Sequence, residues 1–109
     1  KDNLGDGVPA TFVGGMDKAF KAAAIARLTA AGFIAVDADP DWPAYGGGRK
    51  SNICNQGPNG GLQLELTSTQ RRALFPGGDH SRAVRESGER TPAFYAYTAA
   101  IQQALADIT

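Results

Sequence analysis

The apolar positions of this chain follow two periods. Ala10–Val13 and Phe33–Val36 read as short strands, the latter with β-branched Ile34 and Val36, and period two governs a third run, Leu62–Leu66. In the third, Leu62, Leu64 and Leu66 share one face, while Gln63, Glu65 and Thr67 share the other. A period near 3.6 governs two longer runs. In Met16–Ala31 the stripe is Met16, Phe20, Ala24, Leu28 and Ala31. Asp17 suits the N-terminal end of this helix and Gly32 stops it. The last run opens on Thr91-Pro92, a cap followed by proline in the first turn. It repeats Phe94, Tyr97, Ile101, Leu105 and Ile108, a stripe that reads as core rather than as a cofactor motif.

The order strand, helix, strand with tight glycine joints predicts a βαβ unit, so the first two strands should be parallel. Thr67-Ser68-Thr69-Gln70 reads as a capping box that opens a short helix through about Leu74, with Pro76-Gly77-Gly78 ending it. Lys1–Pro9 reads as a loop. Residues 37–61 form a long irregular segment holding Pro40, Trp42-Pro43 and Gly46-Gly47-Gly48. A connection of that length in a small domain is usually functional, and Trp42 and Tyr45 are its natural packing anchors. Residues 76–90 carry charge without apolar periodicity and read as an exposed excursion. Neither a repeat nor a linker divides the chain, so residues 1–109 read as one α/β domain, or part of one, with a mixed, partly parallel sheet.

Charge changes this picture locally. The chain has 11 basic and 11 acidic residues, a balance that argues against a general nucleic-acid binder. Between Arg49 and Arg85, however, Arg49, Lys50, Arg71, Arg72, Arg82 and Arg85 stand against only Glu65 and Asp79, which suits an anionic ligand. No apolar run approaches the length of a membrane-spanning helix, and no signal-peptide pattern opens the chain. The start on a polar loop without Met fits a processed product, a trimmed form or the second part of a longer protein. The single cysteine, Cys54, allows no intrachain disulfide and leaves the compartment open.

Glu65 is the first candidate for chemistry. A mid-strand glutamate goes against β-propensity. It belongs either to a solvated sheet face or to a rigidly held catalytic or ligand-binding group. Asn52 and Asn55, in the glycine-rich approach to that strand, are able to brace the loop backbone or to bond a ligand. Cys54 reads as a structural thiol, since a nucleophile needs a base in reach. His80, the only histidine, lacks companions at metal-ligand spacing. The glycine triplet lacks the strand-to-helix setting of a phosphate loop, which removes nucleotide binding.

Asn52-Ile53-Cys54-Asn55-x-Gly57, followed by Gly60-Gly61-Leu62-Gln63-Leu64-Glu65-Leu66-Thr67 and Arg71-Arg72, resembles the phage-type poly-γ-glutamate hydrolase family. Upstream, Phe12-Val13-Gly14-Gly15-Met16, the helix, Gly32 and Phe33 continue the resemblance, which runs in order from about Thr11 to Phe75. The pairing of Asn-Ile-Cys-Asn with Gln-Leu-Glu-Leu is the specific part. The resemblance implies a fold similar to zinc carboxypeptidases, a three-layer α/β/α arrangement of which this chain supplies the C-terminal part. It implies a zinc hydrolase that cuts γ-linked amides of poly-γ-glutamate, with Glu65 as general base on zinc-bound water and then as acid toward the leaving amine. The clustering of Arg49, Lys50, Arg71 and Arg72 around the loop and strand makes them the expected binders of polymer carboxylates. Asn52, Asn55 and Gln63, beside Glu65, are the amides expected to hold the substrate, and action outside the cell is expected from the family's polymer substrate. Two departures stand out. Gln56 occupies a position that is often basic in the family. The family's zinc ligands, a His-Gly-Gly-x-Ile-Glu-like motif and a later His, are not in this sequence, so zinc ligands are expected upstream of Lys1, and an N-terminal fragment of the same protein is an expected partner.

The alternative reading is a non-catalytic α/β module that binds an anionic polymer or a protein partner, with neither nucleic acid nor membrane among its partners. Metal content and intact mass separate the two. Stoichiometric zinc, or a longer species, belongs to the enzyme. A metal-free chain of about 11 kDa that folds cooperatively by itself belongs to the module.

Overall fold

The structure, a computed structural model, describes residues 7–38 and 60–109. Its centre is strand β1, Ala10–Gly14, buried at every position. β2 (Ile34–Asp37) lies on one side of it and β3 (Gln63–Leu66) on the other, giving the sheet order β2-β1-β3. β2 is parallel to β1, with Ala10 opposite Ile34 and Phe12 opposite Val36. β3 is antiparallel, with Phe12 opposite Glu65 and Gly14 opposite Gln63. The parallel first pair is the one that the βαβ pattern predicts, and the antiparallel β3 makes the sheet mixed.

Helix α1, Lys18–Ala30, crosses from β1 to β2. Asp17 is its N-cap, and its side chain accepts from the Phe20 N–H at 3.0 Å. α2 (Ser68–Ala73) follows β3, then a 3-10 turn at Pro76–Gly78, α3 (Arg82–Ser87) and α4 (Pro92–Asp107). At α4 the Thr91 side chain accepts from the Phe94 N–H at 3.2 Å, with Pro92 opening the helix.

α1 and α4 pack on each other and on the sheet face that carries Val13, Ala35, Leu64 and Leu66. One cluster joins Val13, Ala24 and Ala104 with Leu62 and Ile101. The other joins Leu28, Leu74, Tyr97 and Ala100 with Phe33, Leu66 and Phe94. Phe33 and Tyr97 meet edge to face at 5.1 Å between ring centroids. The Tyr97 hydroxyl shares a hydrogen bond of 2.8 Å with Thr11 on the central strand, so neither buried hydroxyl is left unsatisfied. Arg27 clasps Asp107 through two bonds of 2.8 and 2.7 Å, tying the ends of the two helices.

Two expectations need correction. The buried line of α4 is Tyr97, Ala100 and Ala104, whereas Leu105 is 49% exposed. Small residues allow the closest approach to α1, so alanines take the contact line and the leucine is displaced to its flank. The excursion at 76–90 is exposed but not structureless. α3 forms there without a buried residue, supported by an Arg82–Glu86 ion pair at 2.8 Å one turn apart and ended by Gly88. That support is local and polar, so it leaves no apolar period to read.

Thr67 joins three segments. Its hydroxyl accepts from the Ala10 N–H (3.1 Å) and the Gln70 N–H (3.2 Å) and donates to the Val8 carbonyl (2.6 Å). Half of the capping box therefore forms. The Thr67 N–H bonds the Ala10 carbonyl at 2.9 Å instead of the Gln70 side chain. At the other end of β1 two glycine pairs interlock. Gly15 has φ +107°, and a Cβ there would fall on the Gly61 carbonyl oxygen; a Cβ on Gly60 (φ +80°) would lie 2.7 Å from the Met16 Cβ. The Asp17 N–H donates to the Gly61 carbonyl at 3.1 Å and completes this close crossing.

Candidate active site

The sheet face away from α1 and α4 carries the candidate site. Strand phase sends Leu64 and Leu66 into the core and leaves Gln63 and Glu65 on the opposite face. Across that face Val36, Phe12 and Glu65 form one row, with Phe12 3% exposed in the middle. Glu65 is exposed, and its carboxylate makes no hydrogen bond or ion pair among the described residues. Its backbone is fixed by pairing with β1 and by the leucines on either side. A carboxylate held this way is available to take a proton.

Gln63 lies one pleat away on the same face, opposite Gly14. This is where β1 and β2, being parallel, both end, the place in an open α/β sheet where ligands are commonly received. Asp37 stands at that end of β2 and bonds the Lys21 ammonium at 3.1 Å. The pair escaped the sequence analysis because its members belong to different elements and neither sits in a motif. The 39–59 segment leaves from the same end of the sheet and returns to it at Gly60. Arg49, Lys50, Asn52 and Asn55 lie within it, outside the described residues, as do Cys54, Trp42 and Tyr45.

Arg71 and Arg72 are both exposed on α2, but the structure separates their surroundings. Arg71 lines a cavity of about 490 Å³ together with Phe75, His80 and Arg85. Arg72 does not line it. His80 and Arg85 were not among the expected binding residues; the only signal was the local excess of base over acid. Asp79, next to His80, accepts from the Ser81 N–H at 2.8 Å, and this bond lowers its carboxyl below the usual range.

Among the described residues no three His, Cys, Asp or Glu side chains gather where they could hold a metal ion. No described helix is long and apolar enough to cross a membrane.

A family model described as poly-gamma-glutamate hydrolase matches residues 4–100. Among solved structures, a bacteriophage poly-gamma-glutamate hydrolase superposes with a TM-score of 0.83 at 33% identity, over 94% of this chain and 48% of that one. A zinc-free apo form of YNDL superposes with a TM-score of 0.73 at 30% identity, over 89% of this chain and 46% of that one. No curated protein matches. The chain thus spans just under half the length of either structure. With most of its length inside the family match and its fold shared with a hydrolase of that name, this chain belongs to the poly-γ-glutamate hydrolase family.

Proposed function

We propose that this chain supplies the catalytic-glutamate half of a hydrolase that cuts the γ-linked amides of poly-γ-glutamate. The observation that carries the reading is Glu65: an exposed carboxylate without a partner among the described residues, at the middle of a strand whose neighbouring leucines lock the backbone. Glu65 takes a proton from the attacking water as the C–O bond forms at the amide carbon. It returns that proton to the amine nitrogen as the C–N bond breaks. Gln63 on the same face, with Asn52 and Asn55, holds the substrate amides by hydrogen bonds. Arg49, Lys50, Arg71 and Arg72 attract the polymer's carboxylates, for which a guanidinium fork is well suited.

The zinc implied by the family resemblance does not fit the described residues of this chain. Glu65 and His80 stand on separate elements, and no trio of ligating side chains gathers anywhere among those residues. The zinc's ligands are assigned to the part of the fold outside this chain.

The test is Glu65→Gln in the full-length protein, which keeps shape and hydrogen-bonding reach but removes the base. The expected result is a fall in kcat of about 10²–10⁴ with the fold and metal content retained. Loss of metal would make Glu65 a ligand. Near-normal turnover would leave it a carboxylate on a wet sheet face. The second reading, a non-catalytic module for an anionic polymer, draws on the basic residues around Arg71; tight binding without cleavage by the full-length protein would select it.

A further inference from the structure

The cavity beside α2 is built from two elements and a turn. Arg71 comes from α2, Phe75 from the segment after it, His80 from the approach to α3 and Arg85 from α3 itself. Its volume of about 490 Å³ lies within the usual range of small-ligand sites. None of its described lining residues is acidic. Among the described residues Arg71 has only a long 3.4 Å contact to the Ser68 hydroxyl. The side chains of Arg85 and His80 make no hydrogen bond or ion pair among the described residues. Of the acidic groups in the same stretch, Asp79 accepts from the Ser81 N–H at 2.8 Å, Glu86 pairs with Arg82 at 2.8 Å, and Glu89 is not among the described lining residues. A third guanidinium, Arg90, lies on the Phe75 ring at 4.7 Å and also 5.4 Å from the Phe94 ring, backing the apolar wall with positive charge.

Cations around an aromatic wall match one polymer chemistry well. In a γ-linked polyglutamate each unit leaves its α-carboxylate free and puts two methylenes in the backbone. Guanidinium groups receive the carboxylates bidentately, and the Phe75 ring receives the methylenes. The described lining comes from α2, the segment after it and α3, and neither Glu65 nor Gln63 on the strand is part of it.

We infer that the cavity lined by Arg71, Phe75, His80 and Arg85 is a distal carboxylate subsite that grips γ-polyglutamate away from Glu65. This rests on the substrate reading above and extends it to His80 and Arg85. The experiment compares full-length wild type, Arg85→Gln, His80→Gln and Arg82→Gln on γ-linked glutamate polymer and on γ-linked dimers and trimers. Arg82 is the control: the same helix and the same charge change, but a side chain that does not line the cavity. Arg85→Gln is expected to raise KM for the polymer about three- to tenfold, the size of one lost charge-assisted contact. Its kcat, its thermal midpoint and its KM for the short oligomers should stay at the wild-type values. His80→Gln should move in the same direction by less, and Arg82→Gln should stay at wild type. Equal effects of Arg82→Gln and Arg85→Gln, or competition by α-linked polyglutamate as strong as by the γ-linked polymer, would reduce the cavity to general surface charge and overturn the subsite. Wild-type kinetics in Arg85→Gln on a polymer that the protein does cut would overturn the subsite alone. A wild-type protein that neither binds nor cuts γ-linked polymer would overturn the subsite and the substrate reading together.

Discussion

Thr67 shows how much of this fold can hang on one side chain. Its hydroxyl serves Ala10, Gln70 and Val8, and it sits next but one to Glu65 on the same strand exit. Thr67→Val keeps the shape but abandons two buried N–H donors and a carbonyl. The expected cost is about 1–3 kcal/mol, read as a lower urea midpoint in the full-length protein, whereas Thr67→Ser should recover most of it. The capping half of this arrangement is written locally, since the threonine lies three residues before the N–H that it caps. The bond to Ala10 is not, because its partner lies 57 residues away in sequence. Glu65 follows the same division. Its place on the polar phase of a strand is visible in Gln-Leu-Glu-Leu, but its row with Phe12 and Val36 exists only once the sheet has formed.

Elements with an apolar period were legible as runs of sequence: the crossover α1, the closing α4 and all three strands. α3 was not, because six residues held by an ion pair and a glycine stop bury nothing that would leave a period. The basic cavity was invisible for a related reason: Arg71, His80 and Arg85 come from α2, the turn after it and α3, and meet only at the cavity that these line together. Between α1 and α4 the Arg27–Asp107 clasp makes a pH prediction. The Arg27 hydrogen bond holds the Asp107 carboxyl below its usual range, so the clasp stabilises the fold above that range and is lost as pH falls through the lowered folded value. Comparing wild type with Asp107→Asn by denaturation at several pH values should give a constant stability gap near neutrality that shrinks as the solution becomes acid. A gap of the same size in acid would mean that the aspartate charge contributes nothing. Salt should narrow it at neutral pH, since both side chains are exposed.

Across the whole molecule, both ends of the 39–59 segment are moored to the same place. The Ala38 N–H bonds the Val13 carbonyl at 3.0 Å, and the Gly61 carbonyl is held by Asp17 at 3.1 Å. Between these moorings the interlocked glycines leave β3 no room to slide. A one-residue slip would send Glu65 into the core and a leucine into its place. The segment that carries Asn52 and Asn55 is thereby uncoupled from the strand that carries Glu65. Closing a loop costs only about 0.6 kcal/mol for each doubling of its length. Two or three residues inserted within 39–59 should therefore cost about 0.1 kcal/mol by the same rule and leave amide exchange in β3 unchanged. Gly15→Ala, with no insertion at all, should speed that exchange. Selection is then free to lengthen, shorten or rewrite residues 39–59 without re-registering the strand that carries Glu65, and a library that tests the proposed polymer specificity belongs between Ala38 and Gly60.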